Sequence, residues 1–137
     1  MTDLLINVDV DDLEKAVRFY SAAFGLTVGH RFGEGGAEML GGSAPIYLLL
    51  KAGGSKATAT TNQTRDYGRH WTPVHLDFVV DDLAVAIDRA LRAGATLEVP
   101  VKPGEWGDLA LMSDPFGHGF CLVQFNGRGY DEIADPA

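Results

Sequence analysis

Four polar side chains with the chemistry of a binding or acid-base site lie in two similar stretches of the sequence. Asn7 and Asp9 are two residues apart in the first stretch, and His75 and Asp77 have the same spacing in the second. A histidine beside a carboxylate can transfer protons near neutral pH, so His75 and Asp77 are candidate catalytic residues. The same four groups could instead hold a small molecule by hydrogen bonds. The sequence leaves both roles open.

Three further side chains are candidates for contact with a small molecule. Trp71 and Trp106 lie in segments rich in turn residues, where their rings could stack on a flat or apolar compound. Cys121 lies between Phe120 and Leu122, which is more typical of a small buried hydrophobic residue than of a nucleophile. We therefore expect these three residues to shape a ligand site without covalent chemistry.

The candidate residues belong to a sequence that repeats itself. Residues 8–13, Val-Asp-Val-Asp-Asp-Leu, align with residues 78–83, Phe-Val-Val-Asp-Asp-Leu. Apolar residues alternate before each Asp-Asp pair and take helical spacing after it, which predicts a strand followed by a helix in both copies. Either aspartate of a pair can cap its helix, and Gly25 and Gly94 are suited to end the helices.

Three further strands are expected behind each helix, because turn residues divide the remaining apolar runs. The expected strand ranges are 26–32, 37–42 and 45–52 in the first copy and 95–101, 107–113 and 119–125 in the second. The sequence thus predicts one α+β domain over 1–137, with module one at 1–52, a connecting loop at 53–73, module two at 74–125 and a C-terminal tail at 126–137. A loop of that length is often a lid or a linker.

Strand alternation places the polar candidates on one face of the sheets. Asn7 and Asp9 point away from the helix-covered side of the first strand, and His75 and Asp77 do so in its repeat. If two four-stranded sheets curve toward each other, this face lines a cleft with one of the two tryptophans at its rim. We therefore expect the four polar side chains to face one common cavity.

The composition limits the partners and the location of the protein. The chain has 137 residues, 46% of them hydrophobic, and 11 basic against 19 acidic residues give a formal net charge of −8. This charge repels phosphate backbones and anionic lipid, so we expect neither nucleic-acid nor membrane binding. A single cysteine, the lack of a long apolar run and the lack of a signal-like start predict a cytoplasmic protein.

The order of these features resembles the vicinal oxygen chelate superfamily, which contains glyoxalases, bleomycin-resistance proteins and extradiol dioxygenases. The resemblance rests on two strand–helix–three-strand modules, the Asp-Asp-Leu helix starts, Phe19-Tyr20 in the first helix, His75 at the opening of module two and the Asp-Pro-Phe-Gly turn at 114–117. It implies a curved, partly open barrel of eight strands that forms a cleft, and a homodimer.

The resemblance also implies positions for a divalent metal ion on the first and last strands of each module. In module one these positions fall on Leu5 and on Leu48 or Leu49, whose side chains have no donor atom. In module two they fall on His75 and on Cys121, where the superfamily has a glutamate. A tightly held centre needs three or more protein donors. We therefore expect no resident metal and no other cofactor, with an atypical divalent metal site as the alternative.

Two functional classes follow. The first is a metal-free protein that binds and sequesters a small aromatic or cationic compound, as a resistance protein does. The second is an enzyme, either a lyase, isomerase or dioxygenase with an atypical metal site or a metal-independent catalyst that uses His75 and Asp77. The missing metal ligands favour the binding protein, whose ligand an acidic cleft would select as neutral or cationic.

Overall fold

Each half of the chain folds into a strand, a helix and further strands, as its apolar pattern predicts. We describe residues 1–136 of a computed structural model. Module one contains β1 (Ile6–Val10), α1 (Leu13–Phe24), β2 (Thr27–Arg31), β3 (Gly36–Leu40) and β4 (Ile46–Leu50). Module two contains β5 (Leu76–Val79), α2 (Leu83–Ala93), β6 (Thr96–Leu97), β7 (Lys102–Pro103), β8 (Gly107–Ser113) and β9 (Gly119–Phe125), and a short 3-10 helix (Gly129–Glu132) follows.

Both helices begin after the second aspartate of the repeated pair. The Asp12 carboxylate accepts a 3.0 Å hydrogen bond, and that of Asp82 a 3.2 Å bond, from the backbone N–H three residues later. Each bond satisfies one of the donors that a first helical turn leaves free. Gly25 and Gly94 end the helices at φ values of 68° and 119°, which a side chain would strain. Among residues 1–136 the longest helix is α1 with 12 residues, so no helix in this part of the chain is long enough to cross a bilayer.

The strands form two separate sheets, one in each module. Sheet one has the strand order β1-β4-β3-β2, and sheet two has the order β5-β9-β8-β6, with β7 also paired to β8. The first strand of each sheet lies parallel to the last strand of its module, and the other pairs are antiparallel. The fold is therefore α+β with two modules, as predicted. The two sheets are not closed into a barrel.

One expected strand is wrong. The sequence predicts a single strand over 95–101, whereas the structure has β6 and β7, each of two residues. Pro100 lies in the expected strand and Pro103 in β7, and proline lacks the N–H group that a continuous strand ladder requires. Residues 1–136 therefore contain nine strands instead of the expected eight.

The two helices cover one face of the sheets and pack against each other. Helix α1 contacts β3 and β4, and α2 contacts β6, β8 and β9. Between the modules Phe24 stacks on Phe78 with ring centroids 3.9 Å apart, and Phe120 meets both rings edge-on. This apolar contact packs α1 of module one against β5 and β9 of module two. The faces of the sheets opposite the helices carry the polar candidates.

Candidate functional site

A cavity of ≈ 730 Å³ lies between β1, the opening of β5 and the connecting loop. We call it the loop cavity. Four of the predicted site residues line it, namely Asn7, Asp9, Trp71 and His75. Its volume lies within the range of about 300–1,000 Å³ that is usual for small-molecule sites. The repeat thus brings one polar pair from module one and one histidine from module two to the same space.

The Asp9 carboxylate in this cavity is paired. Arg65 of the connecting loop donates from Nε to Asp9 Oδ2 at 2.7 Å, and its Nη1 donates to the Lys56 carbonyl oxygen at 2.6 Å. The Arg65 side chain is only 16% exposed, so the ion pair is shielded from solvent on the arginine side. Arg65 of the connecting loop therefore offsets the negative charge of Asp9, on which the expected acidic cleft depended.

Two histidines, which we call the histidine pair, form another part of the cavity wall. His118 Nε2 lies 2.6 Å from the carbonyl oxygen of Asp9, and His118 Nδ1 lies 2.9 Å from His70 Nε2. His70 Nδ1 in turn lies 2.9 Å from the carbonyl oxygen of Gly68. The pair joins the connecting loop to the turn between β8 and β9 and to β1.

The turn that carries His118 is fixed by a buried carboxylate. Asp114 Oδ1 accepts hydrogen bonds from the backbone N–H groups of Phe116 (2.8 Å) and His118 (3.0 Å). Asp114 Oδ2 accepts a 2.7 Å bond from the Tyr20 hydroxyl of α1. Burial, and then the charge and hydrogen bond of Asp114, raise the pKa of Tyr20 well above its usual value. The Asp-Pro-Phe-Gly turn is therefore held rigidly against module one.

A second polar cluster lies on β5 and β9, with His75 at its edge. His75 Nε2 lies 3.1 Å from Asp77 Oδ1, and Asp77 pairs with Cys121 in the strand register. Burial, followed by the charge and hydrogen bond of Asp77, raises the pKa of the Cys121 thiol to about 11. The thiol is therefore protonated near neutral pH, which makes it a poor nucleophile.

The structure does not bring every predicted residue to the loop cavity. Asp77 lines a second cavity of ≈ 610 Å³, between β5, α2 and module one. Cys121 is buried beside Asp77 and lines neither cavity. Trp106 also lines neither, because the C-terminal tail folds back so that Tyr130 lies 4.9 Å from its ring, between centroids. Only Trp71 of the two tryptophans lies at the rim.

A comparison with known protein families matches residues 5–123 to the glyoxalase-like domain. The chain belongs to this family. Membership confirms the resemblance to the vicinal oxygen chelate superfamily that the repeat and its motifs indicate. The match includes both modules and the whole connecting loop.

Solved structures support the fold of this glyoxalase-like chain. A glyoxalase/bleomycin resistance protein/dioxygenase family enzyme from Burkholderia phytofirmans is 19% identical with a TM-score of 0.70, over 91% of this chain and 100% of that one. The fosfomycin resistance protein FosX from Listeria monocytogenes is 20% identical with a TM-score of 0.69, over 92% and 95%. These neighbours include both an enzyme and a resistance protein, so the fold alone does not select a function.

A curated relative shares more sequence over a shorter stretch. An uncharacterized protein of Mycobacterium tuberculosis is 41% identical over 54 residues, which cover 39% of this chain and 32% of that protein. The match thus spans about a third of the length of the relative.

The metal ligands of the superfamily do not fit module one of this glyoxalase-like chain. In the strand pairing, Asn7 lies opposite Tyr47 as Asp77 lies opposite Cys121. The counterpart of Cys121 is therefore Tyr47, and the expected assignment to Leu48 or Leu49 is wrong by register. The Tyr47 hydroxyl is already committed, because it donates to Glu38 Oε2 at 2.6 Å. Neither of the two superfamily positions in module one, Leu5 and Tyr47, thus offers a free donor.

Module two does gather donor atoms. Within residues 1–136, one group of three possible ligands has donor atoms within 4.8 Å of one another, and it comprises His75, Asp77 and Cys121. The raised pKa of the thiol opposes the thiolate that a metal ion requires. We assign no chemical step to a metal ion in this protein.

Sequence reasoning missed the histidine pair and Arg65. His70 and His118 are 48 positions apart, and neither lies in a hydrophobic pattern that predicts its placement. The available signal was the Asp-Pro-Phe-Gly turn, whose geometry fixes the residue that follows it. Arg65 lies in the long loop, whose path depends on contacts that no local pattern encodes.

Proposed function

We propose that this glyoxalase-like protein binds a small aromatic compound in the loop cavity without a resident metal ion. The observation that carries the proposal is a cavity of ≈ 730 Å³ whose wall combines aromatic and apolar side chains with polar ones, and whose one carboxylate from β1 is paired with Arg65. A pocket of this type holds a ligand by shape and stacking and needs no reactive group. A cationic ligand, the other class that the sequence indicates, would have to compete with Arg65 for Asp9.

The exposed indole at the rim supports this proposal. Trp71 is 81% exposed, although a tryptophan buries a large apolar area whenever a partner is present. Tyr20, Phe78 and Phe120 line the inner part of the same cavity. A flat ligand that contacts these rings on one side could bury the face of Trp71 on the other.

Tryptophan fluorescence tests the proposal. In a Trp106→Phe background, 8-anilinonaphthalene-1-sulfonate is titrated as an aromatic probe, so that all tryptophan emission comes from Trp71. We expect saturable quenching. Additional substitution of Trp71 by alanine should weaken binding, followed by probe emission, about 2- to 10-fold, the value of one aromatic contact. Equal affinity with and without Trp71 would show that the probe binds elsewhere.

An enzyme is the second candidate function, and one contact favours it. His75 lies in the loop cavity with its Nε2 3.1 Å from Asp77, which is the geometry of a base that a carboxylate orients. If the protein catalyses proton transfer through His75, turnover should be lost in His75→Gln. Binding of the aromatic probe should then survive the loss of turnover.

We further propose that two copies of the chain form a homodimer. Leu5 and Phe32, at opposite edges of sheet one, are 58% and 54% exposed, and a second copy of the chain would bury apolar side chains of this kind. Light scattering at micromolar concentration should give twice 14.7 kDa. A monomer mass would reject this assembly. The cytoplasmic location and the lack of nucleic-acid or membrane partners remain predictions from composition.

A further inference from the structure

The turn that follows β9 contains the one Asn-Gly pair of the chain, Asn126-Gly127. The Gly129 N–H donates to the Asn126 carbonyl oxygen at 2.8 Å, which closes a turn over residues 126–129. Gly127 has a φ of 53°, whereas Arg128 has a φ of −90° and a ψ of 12°. A positive φ at the second residue alone defines a type II′ turn, which requires glycine at that position. The turn therefore places a residue without a side chain directly after the asparagine.

The groups of this pair that could react with each other are accessible. Asn126 and Gly127 are both exposed. Among residues 1–136 the Gly127 N–H has no hydrogen-bond acceptor, since the bond that closes the turn uses the N–H of its fourth residue. The Asn126 side chain donates from Nδ2 to Asp108 Oδ1 at 3.5 Å, which is longer than the usual range of about 2.7–3.2 Å. Neither group is thus firmly held by another partner.

An asparagine amide in this setting can react with the backbone that follows it. The Gly127 nitrogen attacks the side-chain carbonyl carbon of Asn126, and a new C–N bond forms while the bond from that carbon to Nδ2 breaks. The Gly127 amide proton passes to solvent, and Nδ2 takes up a proton from water and leaves as ammonia. One water molecule then opens the five-membered imide to aspartate or isoaspartate. Because both groups belong to one turn, the reaction needs no reactant other than water.

The other two asparagines of the chain lack these conditions. Asn62 is exposed, as Asn126 is, but the next residue is Gln63, whose N–H donates to Thr61 Oγ1 at 3.2 Å. Asn7 lies inside β1, which is paired along its length with β4. A side chain on the next residue hinders attack by its backbone nitrogen, and a hydrogen bond or a strand pairing holds that nitrogen in place. Three asparagines in one chain thus offer three different environments.

We propose that Asn126 is a site of spontaneous modification, at which the native protein converts the asparagine to aspartate and isoaspartate. The conversion replaces the amide that donates to Asp108 by a carboxylate. Two like charges at this separation repel, so the contact between the two side chains becomes unfavourable. In the isoaspartate form the main chain of the turn is also longer by one carbon atom, and the oxygen that accepts the Gly129 N–H belongs to a free carboxylate.

The contacts of the C-terminal tail limit the effect to the turn. The Asn126 backbone N–H donates to the Trp106 carbonyl oxygen at 2.9 Å, and the rings of Phe125 and Tyr130 lie 6.0 and 4.9 Å from the Trp106 ring, between centroids. None of these contacts uses the Asn126 side chain or its carbonyl group. We therefore expect the converted protein to keep its tail in place and to change mainly at the Gly129 amide.

Mass spectrometry of the native full-length protein tests the proposal. The protein is incubated at neutral and at mildly alkaline pH, and its peptides are mapped over time. The peptide that contains Asn126 should gain the mass difference between an amide and an acid at least about tenfold faster than the peptides of Asn62 and Asn7. The rate should be higher at alkaline pH, because the attack requires loss of the Gly127 amide proton. Electron-transfer fragmentation should find isoaspartate as well as aspartate.

Two further measurements provide the controls. Asn126→Gln keeps a side-chain amide but would have to close a six-membered ring, so its peptide should stay unmodified over the same time. In the isolated isoaspartate form, hydrogen exchange of the Gly129 amide should be faster than in the unmodified protein, because the turn that holds this amide is altered.

Four results would overturn the proposal. Conversion at Asn126 that is no faster than at Asn62 would show that the turn does not favour the reaction. A mass gain that persists in Asn126→Gln would place the modification elsewhere. A rate that does not change with pH, or a product without isoaspartate, would exclude attack by the Gly127 nitrogen.

Discussion

Modules one and two share the order of a strand, a helix and further strands but differ in chemistry at equivalent positions. On the face opposite the helices, module one aligns Asn7, Tyr47 and Glu38 across three strands. The equivalent row in module two is Asp77, Cys121 and Leu111. In the first row the Tyr47 hydroxyl donates to Glu38, whereas in the second Asp77 and Cys121 lie with His75 in a group that could bind a ligand. The duplication thus preserves the elements that build the fold and leaves the exposed face free to differ.

The buried faces of the two modules are far more alike than the polar faces. Leu48 pairs with Val8 as Leu122 pairs with Phe78, and both leucines are fully buried. Each fills the space between its sheet and the helix that covers it. The contrast shows that packing has constrained the duplicated halves on one side only.

The largest expected effect tests whether the two cores are equivalent. Leu48→Ala and Leu122→Ala should each lower the free energy of unfolding by about 2–5 kcal/mol, because each leaves a cavity in a closed core. Chemical denaturation of the two variants measures both values. If only one of the two variants had a lower free energy of unfolding, the core of the other module would not be needed for the cooperative unfolding of the chain.

A smaller effect is expected at a contact that has no counterpart in the repeat. The Tyr20 hydroxyl of α1 donates a hydrogen bond to Asp114 of module two, whereas the equivalent position in α2 is Ala90. Tyr20→Phe leaves a buried carboxylate oxygen without its donor and should cost about 1–3 kcal/mol. Tyr130→Phe, in the exposed tail, is the control and should cost little.

The raised pKa of Tyr20 adds a pH dependence to that test. The folded protein keeps the phenol proton to higher pH than the unfolded chain, whose tyrosines titrate near about pH 10. The stabilisation is complete below that pH and is lost as the pH rises from it toward the folded pKa. Thermal unfolding between pH 8 and 11 should therefore show a steeper alkaline loss for the wild type than for Tyr20→Phe. If the melting temperatures of the two proteins fell in parallel with pH, Tyr20 would not be the source of the alkaline loss.

The network of module one predicts a more local change. The hydrogen bond from Tyr47, then that from the His30 backbone, lowers the pKa of Glu38. Tyr47→Phe should raise that pKa toward the ordinary glutamate value of about 4.3. The Glu38 carboxylate stabilises the fold above the ordinary glutamate pKa, and this contribution is lost on acidification. In Tyr47→Phe the contribution should become smaller. A carbon-detected titration of the Glu38 carboxyl group measures the shift, and an unchanged pKa would assign it to another cause.

The smallest expected effect concerns metal ions and the contrast between the two polar faces. Because the superfamily positions of module one, Leu5 and Tyr47, supply no free donor, we expect far less than one divalent ion per purified chain and no gain in melting temperature with nickel, zinc, manganese or iron. Elemental analysis measures the content. One tightly bound ion per chain, lost in His75→Ala, would show that the donors of module two suffice.

The sequence predicts the fold better than the site for a physical reason. Helix caps such as Asp12 and Asp82 and the alternation within β1 and β5 are local signals, so both modules can be read from neighbouring residues. The expected strand at 95–101 is interrupted because Pro100 cannot donate to a strand ladder, an effect that the apolar pattern does not show.

The site depends on contacts between distant segments. Asn7, Asp9 and His75 line one cavity, as strand alternation predicts, but Asp77 has the same parity as His75 and lines the second cavity, so alternation alone does not determine the site. The placement of Arg65 and of Trp106 follows from the path of a long loop and a folded tail. Neither path is encoded in the period of nearby residues.

The single thiol of β9 makes the rate of chemical labelling a measure of how often this part of the protein opens. A thiol reagent needs both access and the thiolate, and the native Cys121 is only 4% exposed with a pKa of about 11. Modification must therefore proceed through molecules in which β9 has separated from β5. Since the chain has one cysteine, the rate at which a thiol reagent labels it would measure how often β9 separates from β5 in module two, without any introduced probe.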